Sequence, residues 1–485
     1  MVFSSLLFIF AFLPLTLALY YLSPARARNG VALAASLFFY AWGAPRFLFV
    51  LLALCLFNFA AGHWLAPDAL TPRRRKALLG LALALNIAVL LYFKYANFFA
   101  DQVSLLLGAL GSTPSAWTRV ALPIGISFFT FQKISYLVDV YRGTATPAPT
   151  FGRYVLYALL FPQLIAGPIV RYHDVAAQLA HRAYNAERFL SGAWRFCLGL
   201  GCKVLIANTL ATVADRAFAA DPAHLAAGAA WLGALCYAFQ IYFDFAGYSD
   251  MAIGLGRMLG IEFLENFNFP YISTSFTEFW RRWHISLGNF MREYLYVPLG
   301  GNRVAPLRAY ANLWIVFLVS GFWHGAAWNF VVWGAYHGLF LSLDKVWLHR
   351  VRWQPPRWLA IPVTFILVLF GWVFFRADSL ARALGYLGAM FGAAVPDPRT
   401  AATARAALEN LTDPIIVVTL AIGALAAFAP LFRAASWLKD WTLADRPRTL
   451  IAQTVARFAV GAVFLVASAA ALAAGHFNPF IYFRF

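Results

Sequence analysis

Two histidines in apolar segments are the residues of this sequence best suited to chemistry. His324 lies in the run SGFWHGAAWNF and His337 in WGAYHG, and each is followed by a glycine that leaves room for a substrate. An ionisable side chain at membrane depth is costly and usually functional, and neutral imidazole is an effective general base near pH 7. A histidine that only packs against neighbouring helices is the alternative for both. Neither has a partner at His-Glu-x-x-His spacing, so no metal is expected.

A second polar set lies in the apolar stretch YAFQIYFDFAGYSDMAIGLG at 237–256. Asp244 and Asp250 are its two carboxylates, and they are accompanied by Gln240, Tyr242, Tyr248 and Ser249. Buried carboxylates without compensation are prohibitive in a membrane, so both must pair or face water. A structural hydrogen-bond network and a substrate-lined tunnel are the two interpretations.

A third set is basic and aromatic. The stretch TEFWRRWHISLGNFMREYLYVPLGGNR at 277–303 predicts one amphipathic helix that begins at an N-cap, Thr277, and ends at the Pro298–Gly301 turn. Such a helix lies in the membrane interface with its tryptophans at headgroup depth. His284 belongs either to that interface belt or to the mouth of the tunnel.

The amino-acid composition indicates which kind of secondary structure contains these residues. The 485-residue chain is 62% hydrophobic and 12% charged, whereas soluble domains are roughly 45–50% apolar and about 25% charged. It is therefore predicted to be an all-α polytopic membrane protein with 11–12 transmembrane helices. The predicted spans are 3–22, 29–43, 46–66, 77–99, 118–141, 189–218, 225–256, 309–329, 330–349, 358–376, 412–432 and 449–475.

The net charge of +18 is explained by membrane topology. Arginines cluster between the predicted spans, where basic residues mark cytoplasmic loops and meet anionic lipid, so no nucleic acid is expected. The membrane topology with all basic clusters in the cytoplasm places both termini on the outer side of the membrane. The first run lacks a basic leading region and a cleavage site, which favours a retained span over a signal peptide. The four cysteines lie in apolar runs and are predicted to pack.

One apolar segment does not fit a full span. Residues 154–174, YVLYALLFPQLIAGPIVRYHD, have basic residues on both sides and contain two prolines and Gly167. We predict a re-entrant segment, because broken backbone at membrane depth is tolerated only inside protein or beside a cavity. A central chamber follows from this. Within one membrane domain, 1–150 are peripheral spans, 151–350 the catalytic core, 351–475 C-terminal spans and 476–485 an aromatic tail.

Four blocks carry a family resemblance over almost the whole chain. GPIVRYHD, YFDFAGYSDMAIGLGRMLGIEFLENFNFPYIS, FWRRWHISLGNFMREYLYVPLGGNR and FWHGAAWNFVVWGAYHG resemble the membrane-bound O-acyltransferases, in particular the bacterial branch that O-acetylates alginate and related exported polysaccharides. The family's intramembrane histidine matches His324, and its second histidine is matched to His337. The path of substrate or donor is assigned to Arg281, Arg282, His284, Gln240, Asp244, Tyr248, Asp250 and Asn329.

The resemblance implies a bacterial inner-membrane O-acetyltransferase. The acyl donor would be cytoplasmic acetyl-CoA or another acyl thioester, and no bound cofactor is expected. The phosphates of this donor would bind to Arg281 and Arg282. Membrane lipid, a polysaccharide acceptor and an extracytoplasmic acetyltransferase protein are the implied partners. Two alternatives stay open, a transporter or flippase of a lipid-linked sugar and a family member that transfers D-alanine to teichoic acid.

The C-terminal sequence HFNPFIYFRF is unusual for a chain end, which is ordinarily polar. An aromatic anchor at the outer interface is one interpretation, since tyrosine is common there. The other is that Tyr482 enters the chamber and relays the acetyl group, a role proposed for such tails in this family. A phenol can act as the nucleophile once a base removes its proton.

Overall fold

The computed structural model describes residues 1–112, 117–182, 184–350, 355–393, 413–432 and 450–475. Within these ranges every regular element is a helix, which confirms the all-α prediction. The chain divides into two compact units, unit 1 (Met1–Gly192 and Leu255–Leu264) and unit 2 (Ala193–Gly254 and Glu265–Phe485). The segment boundaries predicted within a single membrane domain stay a prediction.

The helices that begin in unit 1 are α1 to α9. Their bounds are α1 Phe8–Leu22, α2 Arg28–Gly43, α3 Pro45–Trp64, α4 Pro72–Ala109, α5 Ile126–Arg142, α6 Phe151–Leu159, α7 Phe161–Leu164, α8 Tyr172–Ala180 and α9 Ala186–Ala219, which continues into unit 2.

The helices α10 to α18 follow. Their bounds are α10 Ala227–Met258, α11 Phe276–Arg282, α12 Ile285–Met291, α13 Pro306–His324, α14 Trp328–Arg350, α15 Arg357–Arg376, α16 Leu380–Met390, α17 Pro414–Ala427 and α18 Leu450–Ala473. Each of the twelve predicted spans overlaps a helix of this series.

The helices have the length and surface of membrane spans. Among the described residues, α3, α4, α9, α15 and the Val455–Ala473 part of α18 are long and apolar enough to cross a bilayer. Only 17% of the most apolar window of α4 is buried, so its large apolar side chains face outward, where lipid would cover them. The protein is a multi-pass membrane protein.

The largest differences between predicted and observed ends occur in two of the spans. The span predicted at 118–141 begins at Ile126, because Pro123 and Gly125, whose φ is +76°, hold the preceding backbone out of a helix. The span predicted at 77–99 is part of the longer α4, which starts at Pro72 in the first helical turn, where proline is well tolerated.

The segment predicted to be re-entrant is broken and buried. After α6 and α7 the chain runs without helix through Gly167, whose φ is +105°, before α8 begins. The side chains of residues 154–161 are at most 3% exposed. Irregular backbone here is enclosed by protein, as its sequence predicted. The side to which it returns stays a prediction.

The prediction of one continuous helix from Thr277 is wrong. Ser275 caps α11, because its hydroxyl accepts a hydrogen bond from the backbone N–H of Glu278 at 3.1 Å. The helix ends at Arg282, and His284 has a φ of +47° before α12 begins. The break turns the histidine side chain inward.

Candidate active site

A tightly packed helix pair carries the two histidines that the sequence singled out. His324 is the last residue of α13, and His337 lies in the middle of α14. A Cβ atom added to Gly321 would lie 2.4 Å from the backbone oxygen of Phe330, and one added to Gly334 would lie 2.4 Å from that of Phe317. Only glycine permits this approach, which fixes the two histidines relative to each other.

His324 has a defined basic atom. Its side chain is 5% exposed, and its Nδ1 lies 2.6 Å from the backbone oxygen of Ser320, one turn earlier in α13. A carbonyl oxygen only accepts, so Nδ1 carries the proton and Nε2 is the basic nitrogen of the neutral ring. The rings of Trp323 and Trp333 lie 4.8 and 4.9 Å from the imidazole and exclude bulk water.

His337 has the opposite tautomer. The indole N–H of Trp280 donates to its Nδ1 at 3.2 Å, so in the neutral ring Nε2 carries the proton. Nε2 faces Gly371 of α15, where an added Cβ would lie 3.1 Å away, and has no hydrogen-bond partner among the described residues. A buried N–H donor suits an orienting or charge-stabilising role, and its ring has no basic atom to accept a proton from substrate.

His284 is a second buried base in unit 2. It is 1% exposed, which places it in the interior of its unit and away from an interface belt. Its Nδ1 lies 3.1 Å from Oδ1 of Asn266. The backbone N–H of Ser286 donates to the same atom at 3.2 Å, which identifies this atom as the amide oxygen and not the amide nitrogen. Nδ1 therefore carries the proton, and the basic Nε2 has no hydrogen-bond partner in the described part of the chain.

The three histidines form one electrostatic group. His324 is close enough to His284 and to His337 for an electrostatic interaction with each, and the ring of Trp333 lies 4.9 Å from the imidazole of His324 and 4.8 Å from that of His337. The structure thus brings together three residues that the sequence placed in separate helices. Two of them, His284 and His324, present a basic Nε2, and this difference from His337 was not visible in the sequence.

The two arginines before the break have different surroundings. Arg281 is exposed, whereas Arg282 forms an ion pair with Glu278 at 2.8 Å and donates to the backbone oxygen of Asn268 at 3.0 Å. Arg282 therefore stabilises the fold of the α11 segment. Its role in donor binding, like that of Arg281, stays a prediction.

Both carboxylates of the polar stretch in α10 are ion-paired. Asp244 pairs with the buried Lys203, and Asp250 accepts from Arg195 at 2.7 Å. Arg195 also bonds to Glu265 at 2.5 Å. These contacts form the structural hydrogen-bond network that was one of the two interpretations. A role for Asp244 and Asp250 in the substrate path stays a prediction.

The remaining residues assigned to the path are buried in unit 2. Asn329 donates from Nδ2 to the backbone oxygens of Phe374 and Ala377 at 3.1 and 2.8 Å and so ties α14 to the end of α15. Gln240 is 4% and Tyr248 1% exposed. Sequence reasoning missed Asn266 and Trp280 as partners of histidines, because neither belongs to a periodic pattern of polar residues. Tyr482 lies outside the described residues.

Comparisons with known proteins place these residues in a family. A model of the membrane-bound O-acyltransferase family matches residues 145–381, which include all three histidines. The probable alginate O-acetylase AlgI of Azotobacter vinelandii is 41% identical over the full length of both chains. The peptidoglycan O-acetyltransferase of Helicobacter pylori is 39% identical, with 81% of this chain and 80% of the relative covered. The teichoic acid D-alanyltransferase of Bacillus subtilis is 28% identical over 52% of this chain and 68% of the relative.

Proposed function

This chain belongs to the membrane-bound O-acyltransferase family and is an acyltransferase, and we propose that it transfers acetyl groups for the O-acetylation of an exported, alginate-like polysaccharide. The observation that carries the proposal is the basic Nε2 of the buried His324, whose tautomer is set by Ser320. The names of the relatives that match over four fifths or more of the chain support acetyl transfer to a glycan.

The proposed reaction uses His324 as general base. Nε2 takes the proton from an acceptor hydroxyl while the hydroxyl oxygen attacks the acyl carbonyl carbon. The carbon–sulfur bond of the thioester then breaks, and the imidazolium returns the proton to the leaving thiolate. An acyl-CoA or another acyl thioester supplies the acetyl group, and no bound cofactor takes part.

The other two histidines support this step. Nδ1 of His337 accepts from Trp280 and its Nε2 faces Gly371 of α15, so His337 is proposed as a positioning residue that holds α14 beside His324. His284 offers a second basic nitrogen in the same electrostatic group and is the alternative base in this proposal. Neither residue needs to touch the donor thioester for these roles.

The transfer is proposed to cross the inner membrane. The donor arrives from the cytoplasm and is held by Arg281 and Arg282, and the acetyl group leaves on the outer side, where Tyr482 passes it on. An extracytoplasmic acetyltransferase protein then completes transfer to the polysaccharide. D-Alanyl transfer is the second candidate, and the partial match to the Bacillus subtilis relative favours it less than the full-length match favours acetyl transfer.

The proposal is tested with purified full-length protein and acetyl-CoA, and the release of coenzyme A from acetyl-CoA is measured as the rate. His324→Ala should lower the rate by about 10²- to 10⁴-fold, the usual contribution of a general base. His337→Ala should lose less, because it removes an orienting donor. Thermal unfolding of both variants controls for folding. Retention of more than a tenth of the wild-type rate in a folded His324→Ala protein contradicts the assignment, and transport of a lipid-linked sugar without acetyl transfer favours a flippase.

A further inference from the structure

A groove of about 400 Å³ lies between two apolar helices of unit 2, and its lining is almost entirely apolar. The second of its two walls is the C-terminal end of α17 with the 3₁₀ turn that follows. The first wall consists of residues of α15 at the i, i+3, i+4 and i+7 positions of one helix face, Trp358, Ile361, Pro362 and Phe365. This volume is in the range of small-molecule pockets, about 300–1,000 Å³.

The groove has a closed end and an open end. At the closed end the two walls meet, because the ring centroids of Phe365 and Phe428 are 5.6 Å apart. The ring of the buried Tyr271 lies 5.0 Å from that of Phe365 and packs behind this contact. Arg357 and Trp358 are exposed at the open end, and α15 rises about 12 Å from there to Phe365. A ligand therefore enters beside a cation and ends among aromatic rings.

The dimensions of the groove fit a single hydrocarbon chain. A protein helix about 10 Å in diameter and about 12 Å long fills roughly 900 Å³, more than twice the volume of the groove. Because α15 is apolar and long enough to cross a bilayer, the medium outside the groove is lipid. Trp358 is 76% exposed beside Arg357, and tryptophan is enriched at the level of the lipid headgroups. The size and surroundings of the groove thus favour a lipid acyl chain as its occupant.

The open end of the groove complements an anionic headgroup. Arg357 offers guanidinium N–H donors, and no carboxylate is among the described residues that line the groove. Pro362 has no backbone N–H, so the carbonyl oxygen of Trp358, four residues earlier, lacks its usual helical donor. A phosphate diester can accept from Arg357, and a headgroup hydroxyl can donate to that carbonyl oxygen. Phosphatidylglycerol carries both groups and a negative charge.

We propose that this groove binds one anionic phospholipid, whose phosphate pairs with Arg357 and one of whose acyl chains lies between α15 and α17. The chain fills the groove as far as the contact of Phe365 with Phe428 and holds α17 beside α15. α17 has 14 residues and is about 21 Å long, less than the roughly 30 Å of a hydrocarbon core, so contacts along its sides matter for its stability. The site is separate from the acetyl-transfer chemistry, since no histidine lines the groove among the described residues.

Thermal unfolding of the purified full-length protein in detergent tests the proposal. One series adds phosphatidylglycerol, a second adds phosphatidylcholine with the same acyl chains, and a third adds sodium phosphate. We expect the unfolding midpoint to rise and saturate with phosphatidylglycerol, because a ligand that binds only the folded state stabilises it. Phosphatidylcholine has no net charge and should need a roughly tenfold higher concentration, the factor for one charge-assisted contact. Phosphate without an acyl chain should have no effect.

Two variants separate the headgroup contact from the chain contact. Arg357→Gln should raise the half-saturating concentration of phosphatidylglycerol roughly tenfold, whereas Arg308→Gln, at another exposed arginine of unit 2, should leave it unchanged. Ala424→Phe places a ring inside the groove and should abolish the response. Val418→Phe adds the same ring at an exposed position of α17 outside the groove lining and should keep the response.

The proposal is overturned by an unfolding midpoint that responds equally to both lipids or to neither. It is also overturned if Ala424→Phe keeps the full response, since another part of the chain then fills the groove, or if Arg357→Gln keeps the wild-type half-saturating concentration. If Ala424→Phe fails to fold, native mass spectrometry decides. The wild type should then retain one phosphatidylglycerol at a lipid concentration at which Arg357→Gln retains none, and equal retention rejects the site.

Discussion

The Nδ1 atom of His284 lies 3.1 Å from Oδ1 of Asn266, and this one contact decides which nitrogen of the histidine is basic. Nδ2 of Asn266 donates to the hydroxyl of Ser249 at 3.0 Å, which holds the amide in the required orientation from its other side. A loop residue thereby sets the proton position of a histidine 18 residues away in the chain.

Asn266→Ala should lower the acetyl-transfer rate about tenfold, since loss of one hydrogen bond to a charged or basic group corresponds to about 1.5 kcal/mol. The pH profile of kcat should also move, because both tautomers of His284 become populated. Ser249→Ala removes the other contact of this amide and should lower the rate less, because the contact between Asn266 and His284 remains. An unchanged pH profile in a folded Asn266→Ala protein would limit Asn266 to a structural role.

Arg281→Gln should raise the KM for acetyl-CoA by roughly tenfold, the loss expected from one charge-assisted phosphate contact of about 1.5 kcal/mol, with kcat little changed. Arg281 is exposed and its replacement should spare the fold. Arg308→Gln removes another exposed arginine of unit 2 and is the control for net charge. Equal KM values in the two variants would indicate that Arg281 meets lipid headgroups.

Asp244→Asn should destabilise the protein by about 3–5 kcal/mol, because it leaves the buried ammonium of Lys203 without its carboxylate. The double variant Lys203→Met with Asp244→Leu should recover most of that loss, since apolar side chains of similar size often replace a buried ion pair at little cost. Unfolding in detergent with increasing denaturant measures both. A single variant as stable as the wild type would show that Asp244 faces water.

Unit 1 should lose stability as the pH rises through 9. His173 lies in α8, and hydrogen bonds to Asp139 at 2.8 Å and to Asp174 raise its pKa from the usual 6.5 to about 9. A raised histidine pKa contributes stability that is complete below the unfolded value and disappears above the folded one. The unfolding midpoint of the wild type should therefore fall between pH 6.5 and 9 more steeply than that of His173→Gln. Parallel pH curves would contradict this.

Tyr482→Phe should abolish polysaccharide acetylation in cells, because in the proposed relay the phenol of Tyr482 takes up the acetyl group. The substitution removes one oxygen and preserves the aromatic ring, so an interface anchor would be unaffected. Phe483→Leu, which alters the neighbouring ring, is the control for anchoring. Full acetylation in the Tyr482→Phe strain would reduce this residue to an anchor.

The sequence predicts most of the helices and only part of the site. Long apolar runs specify spans by themselves, and the close spacing of His324 and His337 puts both on one helix pair. The break at His284 was missed because FWRRWHISLGNF keeps helical spacing through it. Distant backbone groups stabilise the break, since Asn268 donates to the oxygen of Arg282 and the N–H of Ile285 donates to the oxygen of Asn266, each at 2.9 Å.

The ion-pair partners of the buried aspartates also could not be predicted from the sequence. An aspartate in an apolar span must have a partner, and this follows from the sequence alone. The partners themselves lie 41 residues away for Asp244 and 55 for Asp250, on another helix, and no local pattern identifies them. The tautomers of the histidines likewise depend on Trp280 and Asn266, which become their neighbours only through tertiary packing.

The close approach of α13 and α14 at Gly321 and Gly334 has a consequence for the acyl groups that the enzyme is expected to accept. Because the two backbones are in direct contact there, the helices cannot move apart to accommodate a larger acyl group. The aromatic rings around His324 therefore limit the space beside it. The ring centroids of Trp333 and Phe375 lie 4.9 and 5.4 Å from that of His324, and we expect these rings to limit the length of an acyl group beside the imidazole. We therefore expect that a longer acyl donor would need a smaller residue at Trp333 or Phe375.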